Sequence, residues 1–375
     1  MPLVTQLGND QSPVVLCTGG INPLKPKDYL TGGAMFCYQT MKDTWAYFGT
    51  MTEPRNYHAI VYIHGRIYVF GGYNPLEIVN GEMQPTATVF QLTIRSKRWR
   101  RKADMFHARA CHAAVVVEGR IFIVGGKNDS GEILSSVEVY EPDFDQWTMV
   151  KPMPEPLMGC GATYLEGLVY VAGGVTNSKT NKNSSIVVDH VLCYDPVEDS
   201  WYKKPPLLQR RAFCAAITVK REVWIWGGLS GIQETGQLDS IDTVDVYSPR
   251  KCLWETKLSL STPKHAVAIA KAGSCVYVLG GMNSKEEEAV SENDIYDRER
   301  NLLLDGSALP LAIAGAAAVG VPVNYIAKSG NKWVTQEPDD IAKNQAAVKI
   351  QAVFRGHHSR RQVNRQKYET TYRYI

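Results

Sequence analysis

Residues 112–126 read HAAVVVEGRIFIVGG: two apolar runs separated by Glu118-Gly119-Arg120 and closed by a Gly-Gly doublet. The runs have the length and composition of β-strands, and the residues between them are typical of a hairpin turn. A third run follows at residues 137–140, where apolar and polar residues alternate, and Trp147 begins a fourth. This stretch therefore predicts four short antiparallel strands in one unit of sequence.

Six doublets occur within this same pattern of runs and turns. Successive doublets begin 52, 54, 48, 54 and 53 residues apart. A repeat of this length made of short strands is typical of a β-propeller, in which each repeat forms one four-stranded blade. Six repeats predict six blades. The doublets are Gly19-Gly20, Gly71-Gly72, Gly125-Gly126, Gly173-Gly174, Gly227-Gly228 and Gly280-Gly281.

The first repeat begins part-way through this pattern. Residues 14–17 lead directly into the first doublet, so the chain is predicted to start at the second strand of a blade. Residues 311–319 have strand character but no doublet follows them, and we expect them to supply the missing innermost strand. Closure of the ring by both ends of the chain would remove the exposed sheet edge of an open array.

Aromatic residues stand at fixed positions in the repeats. A Tyr precedes a Trp by seven residues in four of them, and together with the doublet and a basic residue before the first strand this resembles the kelch repeat. The resemblance covers residues 12–320 and implies a six-bladed kelch-type propeller with structural aromatics. Leu157 replaces the basic residue in the fourth repeat and Leu303 replaces the Trp in the sixth, so we expect those blades to be less regular. The Tyr/Trp pairs are Tyr38/Trp45, Tyr140/Trp147, Tyr194/Trp201 and Tyr247/Trp254.

The charge of the chain is unevenly distributed. The formal net charge is +3, but residues 341–375 contain eight Lys or Arg and a single acid, Glu369. A basic tail on a mildly acidic body favours an acidic partner for the tail.

Eight cysteines show no CxxC or zinc-like spacing, so we expect buried free thiols in a reducing compartment. No secretory leader or membrane-spanning run is evident, which predicts a cytoplasmic protein.

The basic tail contains a second motif, since residues 350–363 read IQAVFRGHHSRRQV. This resembles a complete IQ motif and implies binding of calmodulin or a related EF-hand light chain. Apolar anchors four residues apart on a helix suit a Met-rich groove, and the arginines suit an acidic partner. A helix that packs on the propeller or on a filament, or lies on a membrane surface, stays open as an alternative. The implied calmodulin-binding residues are Ile350, Gln351, Phe354, Arg355, Gly356, Arg360 and Val363.

The predicted chain is all-β up to residue 320 and ends in a basic α-helix. We divide it into a lead (1–11), the propeller (12–320), a linker (321–338), the IQ helix (339–368) and a tail (369–375).

The propeller is expected to bind a protein ligand on one face. The segments after the doublets differ in length and composition, as recognition loops do on a repeated scaffold; they are residues 21–33, 73–85, 175–185, 229–239 and 282–292. Beside them lie strand-entry residues whose types are common in binding hot spots. The alternative is that these arginines pair with neighbouring blades and hold the ring together. The candidate ligand-face residues are Arg55, Tyr57, Arg109, Arg211 and Phe213.

No catalytic, metal-binding, cofactor or nucleic-acid motif is found. The chain lacks sialidase boxes, phosphate-binding loops, HExxH and a serine elbow. His58, His112 and His265 occur near the starts of first strands, which favours packing or strand-end hydrogen bonding over metal binding. The lack of such motifs favours a non-enzymatic scaffold or adaptor, and the kelch resemblance implies a role in a cytoskeletal or ciliary assembly. The alternative is a substrate receptor of a cullin ubiquitin ligase, although such kelch-like receptors carry a BTB domain and none is evident here.

Overall fold

The computed structural model describes residues 13–24, 32–178, 184–231 and 238–322. Within these ranges the chain forms 32 β-strands and no helix. The strands assemble into six four-stranded sheets and four two-stranded hairpins. The innermost strand of each sheet contacts the innermost strands of its neighbours, so the sheets surround one axis as blades. The predicted all-β, six-bladed propeller is confirmed.

Each blade runs from the axis outward in four antiparallel strands, and four blades insert a hairpin after their second strand. The first blade contains β1 (Val14–Thr18), β2 (Ala34–Gln39) and β3 (Thr44–Thr50). The second contains β4 (Ala59–Ile63), β5 (Arg66–Phe70), the hairpin β6 (Tyr73–Val79) and β7 (Glu82–Pro85), β8 (Val89–Thr93) and β9 (Arg98–Lys102). The third contains β10 (Ala113–Val117), β11 (Arg120–Val124), β12 (Val137–Glu141) and β13 (Gln146–Val150).

The remaining blades repeat this order. The fourth contains β14 (Gly161–Leu165), β15 (Leu168–Ala172), the hairpin β16 (Val175–Asn177) and β17 (Ser185–Val187), β18 (Val191–Asp195) and β19 (Ser200–Lys204). The fifth contains β20 (Ala215–Val219), β21 (Glu222–Trp226), the hairpin β22 (Leu229–Gly231) and β23 (Leu238–Ser240), β24 (Thr243–Ser248) and β25 (Leu253–Ser259). The sixth contains β26 (Ala268–Ala272), β27 (Cys275–Leu279), the hairpin β28 (Met282–Asn283) and β29 (Glu288–Ala289), β30 (Asn293–Asp297) and β31 (Leu302–Gly306).

The last strand, β32 (Ala317–Val321), completes the first blade. It pairs antiparallel with β1, with Val319 opposite Leu16. The predicted closure of the ring by both ends of the chain is therefore confirmed. The strand begins later than residue 311, because the preceding residues approach other blades: the carbonyl of Ile313 accepts a hydrogen bond from Gly281 N, and Gly315 has a φ of +60°.

The doublets are glycines because two blades meet there. In the second blade Gly71 and Gly72 have φ values of +51° and +87°. A Cβ on Gly71 would lie 2.4 Å from the carbonyl oxygen of Arg109, which also accepts a hydrogen bond of 2.8 Å from Gly72 N. A larger residue would therefore push the next blade away, and its backbone would be strained as well.

The predicted structural role of the Tyr/Trp pairs is visible in their contacts. Tyr140 lies opposite Trp147 on β12 and β13, with ring centroids 4.9 Å apart. The Trp147 Nε1–H donates to the carbonyl of Ala103 in the preceding blade at 2.9 Å, and the equivalent tryptophans of four other blades make the same bond. Leu303 cannot donate, so the sixth blade lacks this bond to the fifth, in line with the expected irregularity. Six of the eight cysteines are buried and all eight are free thiols.

Candidate protein-binding face

The two ends of the propeller differ in construction. One end carries the Gly-Gly doublets, the strand-entry segments and the hairpins, and we call it the doublet face. The opposite end carries the turns between the third and fourth strands of each blade, and we call it the turn face. In the second blade, for example, Gly71 N bonds to Thr88 O at the doublet face, while Ile94 N bonds to Gly65 O at the turn face. The variable segments therefore lie at the doublet face, and the structural turns lie at the turn face.

A closed circle of six backbone hydrogen bonds surrounds the axis at the doublet face. One residue from each strand-entry segment takes part, and its N–H donates to the carbonyl of the next member around the circle at 2.6–3.0 Å. All six have φ between +50° and +61°, a left-handed conformation that non-glycine residues rarely adopt. The ring fixes the relative positions of all six blades. We call these residues the axial ring: Tyr57, Cys111, Gly159, Phe213, Ala266 and Gly315.

Two aromatic side chains of the axial ring fill the mouth of the propeller. Tyr57 and Phe213 meet edge to face with ring centroids 5.9 Å apart. A Cβ on Gly159 would lie 3.0 Å from the Phe213 ring, and one on Gly315 would lie 3.0 Å from the Tyr57 ring. Phe213 is buried and Tyr57 is half-buried. Of the two predicted ligand-face aromatics, Tyr57 therefore reaches the surface, whereas Phe213 mainly closes the axis.

The three arginines predicted for the ligand face are buried, with relative exposures of 1% for Arg55 and 0% for Arg109 and Arg211. Each links two blades, because its carbonyl accepts a hydrogen bond from the doublet of one blade while its guanidinium enters the next blade. Arg109 donates to Gly125 O at 2.8 Å and to Glu138 Oε1 at 2.5 Å. These contacts fit the alternative in which the arginines hold the ring together.

The same carboxylate position recurs where the same cation occurs. Arg211 donates to Asp245 Oδ2 at 2.5 Å, and Lys264 pairs with Asp294. Each acid lies two residues before the structural Tyr of its blade, as Glu138 does. In the fourth blade the two positions hold Leu157 and Leu192, which are both buried in one apolar cluster. The fourth blade thus has two packed apolar side chains where the third, fifth and sixth blades have a buried ion pair.

Arg55 has a different set of partners. Its guanidinium contacts Glu53 and Thr88, and its Cζ lies 5.9 Å from the centroid of the Phe90 ring. Phe90 occupies the position that holds an acid in the third, fifth and sixth blades. Burial lowers the pKa of Arg55, and the Glu53 carboxylate opposes that shift. In the second blade, the carboxylate that pairs with the buried arginine therefore belongs to the entry segment and not to the third strand.

Two buried histidines lie next to the axial ring. His58 and His112 are equivalent positions, and burial lowers the pKa of each from 6.5 to about 3. His58 Nε2 lies 3.0 Å from Thr18 Oγ1 of the first blade. His265 is not equivalent to them, because it stands two residues earlier in its repeat; its Nδ1 lies 2.9 Å from Ser240 Oγ, and burial lowers its pKa to about 4. All three contact neighbouring structure, which agrees with the predicted packing role.

Three exposed apolar side chains of the doublet face lie together on the β6–β7 hairpin. Leu76, Ile78 and Val79 have relative exposures of 58%, 59% and 54%. The base of the hairpin is fixed, because Asn56 and Tyr73 exchange backbone hydrogen bonds of 3.0 and 2.9 Å. The Tyr73 ring also packs edge to face on Tyr57 of the axial ring. The hairpin therefore presents an apolar tip on a rigid base.

Comparison with known proteins identifies the repeat. Residues 9–207 match the family model described as the KLHDC2/KLHL20/DRC7 Kelch-repeats domain, which is more than half of the chain. The chain belongs to the kelch-repeat family. Residues 344–364 match the model of the IQ calmodulin-binding motif. The kelch and IQ resemblances seen in the sequence are both confirmed.

Similar kelch proteins are found among curated proteins and solved structures. Beta-scruin and Alpha-scruin of Limulus polyphemus are each 44% identical over 96% and 93% of this chain, which spans only 41% and 38% of their lengths. Kelch-like protein 36 of Rattus norvegicus is 28% identical over 77% of this chain and 46% of its own length. The solved structure of YjhT shares the fold, with a TM-score of 0.63, 16% identity, and coverage of 73% of this chain and 91% of that one.

The predicted calmodulin-binding residues of the kelch chain, 350–363, lie outside the described residues. In the described part of the chain, no three His, Cys, Asp or Glu side chains are grouped so that they could hold a metal ion. No helix among the described residues is long and apolar enough to cross a membrane.

Proposed function

We propose that this chain is a non-enzymatic interaction scaffold with two binding parts. The doublet face of the propeller binds a protein ligand, and the IQ helix binds calmodulin or a related EF-hand light chain. We further propose that the ligand is a cytoskeletal filament and that the protein acts in the cytoplasm on a cytoskeletal or ciliary structure. The observation that carries the proposal is the exposed apolar tip of the β6–β7 hairpin on an otherwise closed, rigid ring.

The physical basis is that exposed apolar groups held on a fixed base suit a protein partner. Leu76, Ile78 and Val79 lie beside Glu77 and Glu82, so an apolar patch has a polar rim, as at protein interfaces. The ring beneath does not need to rearrange, because the axial ring and the doublets fix the blades. Binding by a preorganised surface loses little conformational entropy. Similarity to the scruins and to the kelch-like proteins supports a binding role.

The propeller half of the proposal predicts filament binding that depends on the hairpin. The full chain should co-sediment with actin filaments or with microtubules. Leu76→Asp/Ile78→Asp should weaken that binding at least tenfold, because two apolar contacts of about 1.5–3 kcal/mol each are replaced by charges that must lose water. The measurement is the bound fraction against filament concentration.

Val197→Asp provides the matched control. Val197 is 94% exposed in the β18–β19 turn, so the same kind of substitution is placed on the turn face. This variant should bind as the unchanged chain does. If neither filament sediments the protein, or if the turn-face and hairpin variants lose binding equally, the proposed ligand or its face is wrong.

The tail half of the proposal predicts capture by calmodulin resin through the IQ motif. Ile350→Asp should reduce binding at least tenfold, since an apolar anchor in the groove becomes a charge facing an acidic partner. The full chain is used, with calcium and with chelator, to determine whether calcium is required. Tyr372→Asp makes a comparable change outside residues 344–364 and should leave binding intact. Equal binding by the unchanged chain and Ile350→Asp would contradict a calmodulin site at this motif.

A further inference from the structure

The outermost strand of the second blade carries an unusual concentration of positive charge. Residues 95–102 read RSKRWRRK, six cations in eight residues. β9 lies at the edge of its sheet, paired only with β8 among the described strands. Its free edge therefore offers backbone N–H and C=O groups to an additional strand.

The register of β9 places three of these cations on one side of the blade. Arg98, Arg100 and Lys102 lie opposite Thr93, Gln91 and Val89 of β8, and Arg66 continues the row of Arg98 on β5. This side faces the third blade across a cleft at the outer rim. Its lining includes Arg66, Arg98, Arg100 and Lys102 of the second blade and Pro142 and Asp143 of the third.

The cations of this cleft differ in whether a carboxylate among the described residues pairs with them. Lys102 pairs with Asp145 at 3.0 Å, and Arg101, on the other side of the strand, pairs with Asp104 at 2.7 Å. No carboxylate within the described ranges forms an ion pair with Arg66, Arg98 or Arg100. Like charges on one side of a sheet destabilise it, so an anion in the cleft would relieve their repulsion.

The propeller does not need these two arginines to form an outer strand. The residues equivalent to Arg98 in the other five blades are Thr44, Gln146, Ser200, Leu253 and Leu302. Those equivalent to Arg100 are Ala46, Thr148, Tyr202, Glu255 and Leu304. None is basic. The outer strands β3, β13 and β31 contain no cation at all, so protection of a sheet edge from aggregation does not by itself require basic residues in this propeller.

We propose that β9 and its cleft bind an extended acidic segment of a partner protein, separately from the doublet face. The segment adds a strand to the edge of the second blade and presents carboxylates at alternate positions. Alternate residues of a strand are about 6.6–6.8 Å apart, and Arg98 and Arg100 have the same spacing. Guanidinium groups suit carboxylates because each can donate two parallel hydrogen bonds.

The structure favours an acidic peptide over other occupants. The basic region from Arg98 to Lys102 is only about 13 Å long on a strand, and Asp143 lies at its border. Trp99 is turned towards the first blade, where its Nε1–H donates to Thr50 O. A nucleic acid would thus find a short basic surface and no free aromatic ring for stacking. The tail beyond residue 341 is itself strongly basic, so it is a poor occupant of a basic cleft.

The test is the affinity of the full chain for a fluorescent nine-residue peptide with Glu at three alternate positions, measured by anisotropy. One control peptide has Gln in place of the three Glu. A second control peptide has the same three Glu at consecutive positions. We expect the alternating peptide to bind at least tenfold more tightly than either. Arg98→Gln/Arg100→Thr, which installs the residues Gln146 and Thr148 of the third blade, should lose at least tenfold in affinity and keep its melting temperature.

Lys203→Gln/Lys204→Gln removes two cations from β19, the equivalent strand of the fourth blade, and should bind the peptide unchanged. Equal binding by the β9 and β19 variants would overturn the proposal, as would equal affinity for consecutive and alternating Glu. A single-stranded oligonucleotide that binds more tightly than the peptide at about 0.15 M salt, and displaces it, would assign the surface to nucleic acid instead.

Discussion

Replacement of Arg211 by Leu should lower the free energy of unfolding by about 3–5 kcal/mol, because it leaves the Asp245 carboxylate buried without its cation. Both side chains are inaccessible to solvent, with relative exposures of 0% and 1%. Arg211 also donates to Gly227 O and Thr243 O, so its loss removes the side-chain hydrogen bonds that attach the entry segment to the fifth blade.

Replacement of both Arg211 and Asp245 by Leu should recover most of the free energy of unfolding that Arg211→Leu loses. The fourth blade already contains this arrangement, since Leu157 and Leu192 occupy the two equivalent positions within an apolar cluster. Removal of both charges leaves no uncompensated ion, and well-packed apolar pairs are often as stable as a buried ion pair. The interactions that are then not replaced are the Asp245 contact with Thr256 and the Arg211 hydrogen bonds to Gly227 O and Thr243 O.

Urea unfolding of the unchanged chain, each single variant and the double variant forms a double-mutant cycle that measures the coupling. Arg211→Lys is the matched control, because Lys264 with Asp294 shows that a lysine can serve at this position. It should lose clearly less stability than Arg211→Leu. Additive effects of the two Leu substitutions would show that the pair is not coupled and that the ring does not depend on its charge balance.

These pairs also show where sequence information was sufficient. The doublets and the Tyr/Trp spacing are local patterns, and they correctly predicted the blades and the closure of the ring. Whether Arg109 or Arg211 faces solvent or the interior depends on a partner two strands away. A signal was present: an acid occurs two residues before the Tyr in the repeats of Arg109, Arg211 and Lys264, whereas Leu192 occurs there in the repeat of Leu157. Comparison of the two positions across repeats would have indicated a buried pair.

Other features required the three-dimensional register. The six members of the axial ring have little in common as residue types, since Tyr57, Phe213 and Gly159 occupy equivalent positions. Their shared property is a left-handed backbone and a circular hydrogen-bond pattern, which residue identity does not encode. The basic run on β9 is visible in the sequence, but only the register shows that Arg98 and Arg100 share one side, whereas Arg101 faces the other.

The buried histidines predict a steep loss of stability in mild acid. The pKa values of His58 and His112 are lowered to about 3 and that of His265 to about 4, against 6.5 for an exposed imidazole. Below pH 6.5 the unfolded chain therefore binds protons that the folded chain excludes, so stability falls as the pH decreases towards 4. At pH 5 each histidine should cost about 2 kcal/mol relative to pH 7.5, or about 6 kcal/mol together.

Urea unfolding at pH 7.5, 6 and 5 measures this loss, and His112→Cys tests its cause. Cysteine is the residue at the equivalent positions of the fourth and fifth blades, Cys160 and Cys214, and it carries no positive charge in this range. The variant should lose about 2 kcal/mol less between pH 7.5 and pH 5 than the unchanged chain.

Carboxylates should act in a separate, more acidic range. The Asp43 pKa is lowered mainly by the Tyr38 hydroxyl hydrogen bond, so its stabilising contribution is lost only as the pH falls below its ordinary value of 3.8. A loss that begins near pH 6.5 therefore identifies histidine, and one that begins near pH 4 identifies carboxylates. If His58→Cys and His112→Cys show the same pH dependence as the unchanged chain, proton exclusion at these imidazoles does not limit stability. If each variant loses less free energy of unfolding than the unchanged chain as the pH falls, and the two effects add, then both imidazoles beside the axial ring make the stability of the closed propeller sensitive to pH.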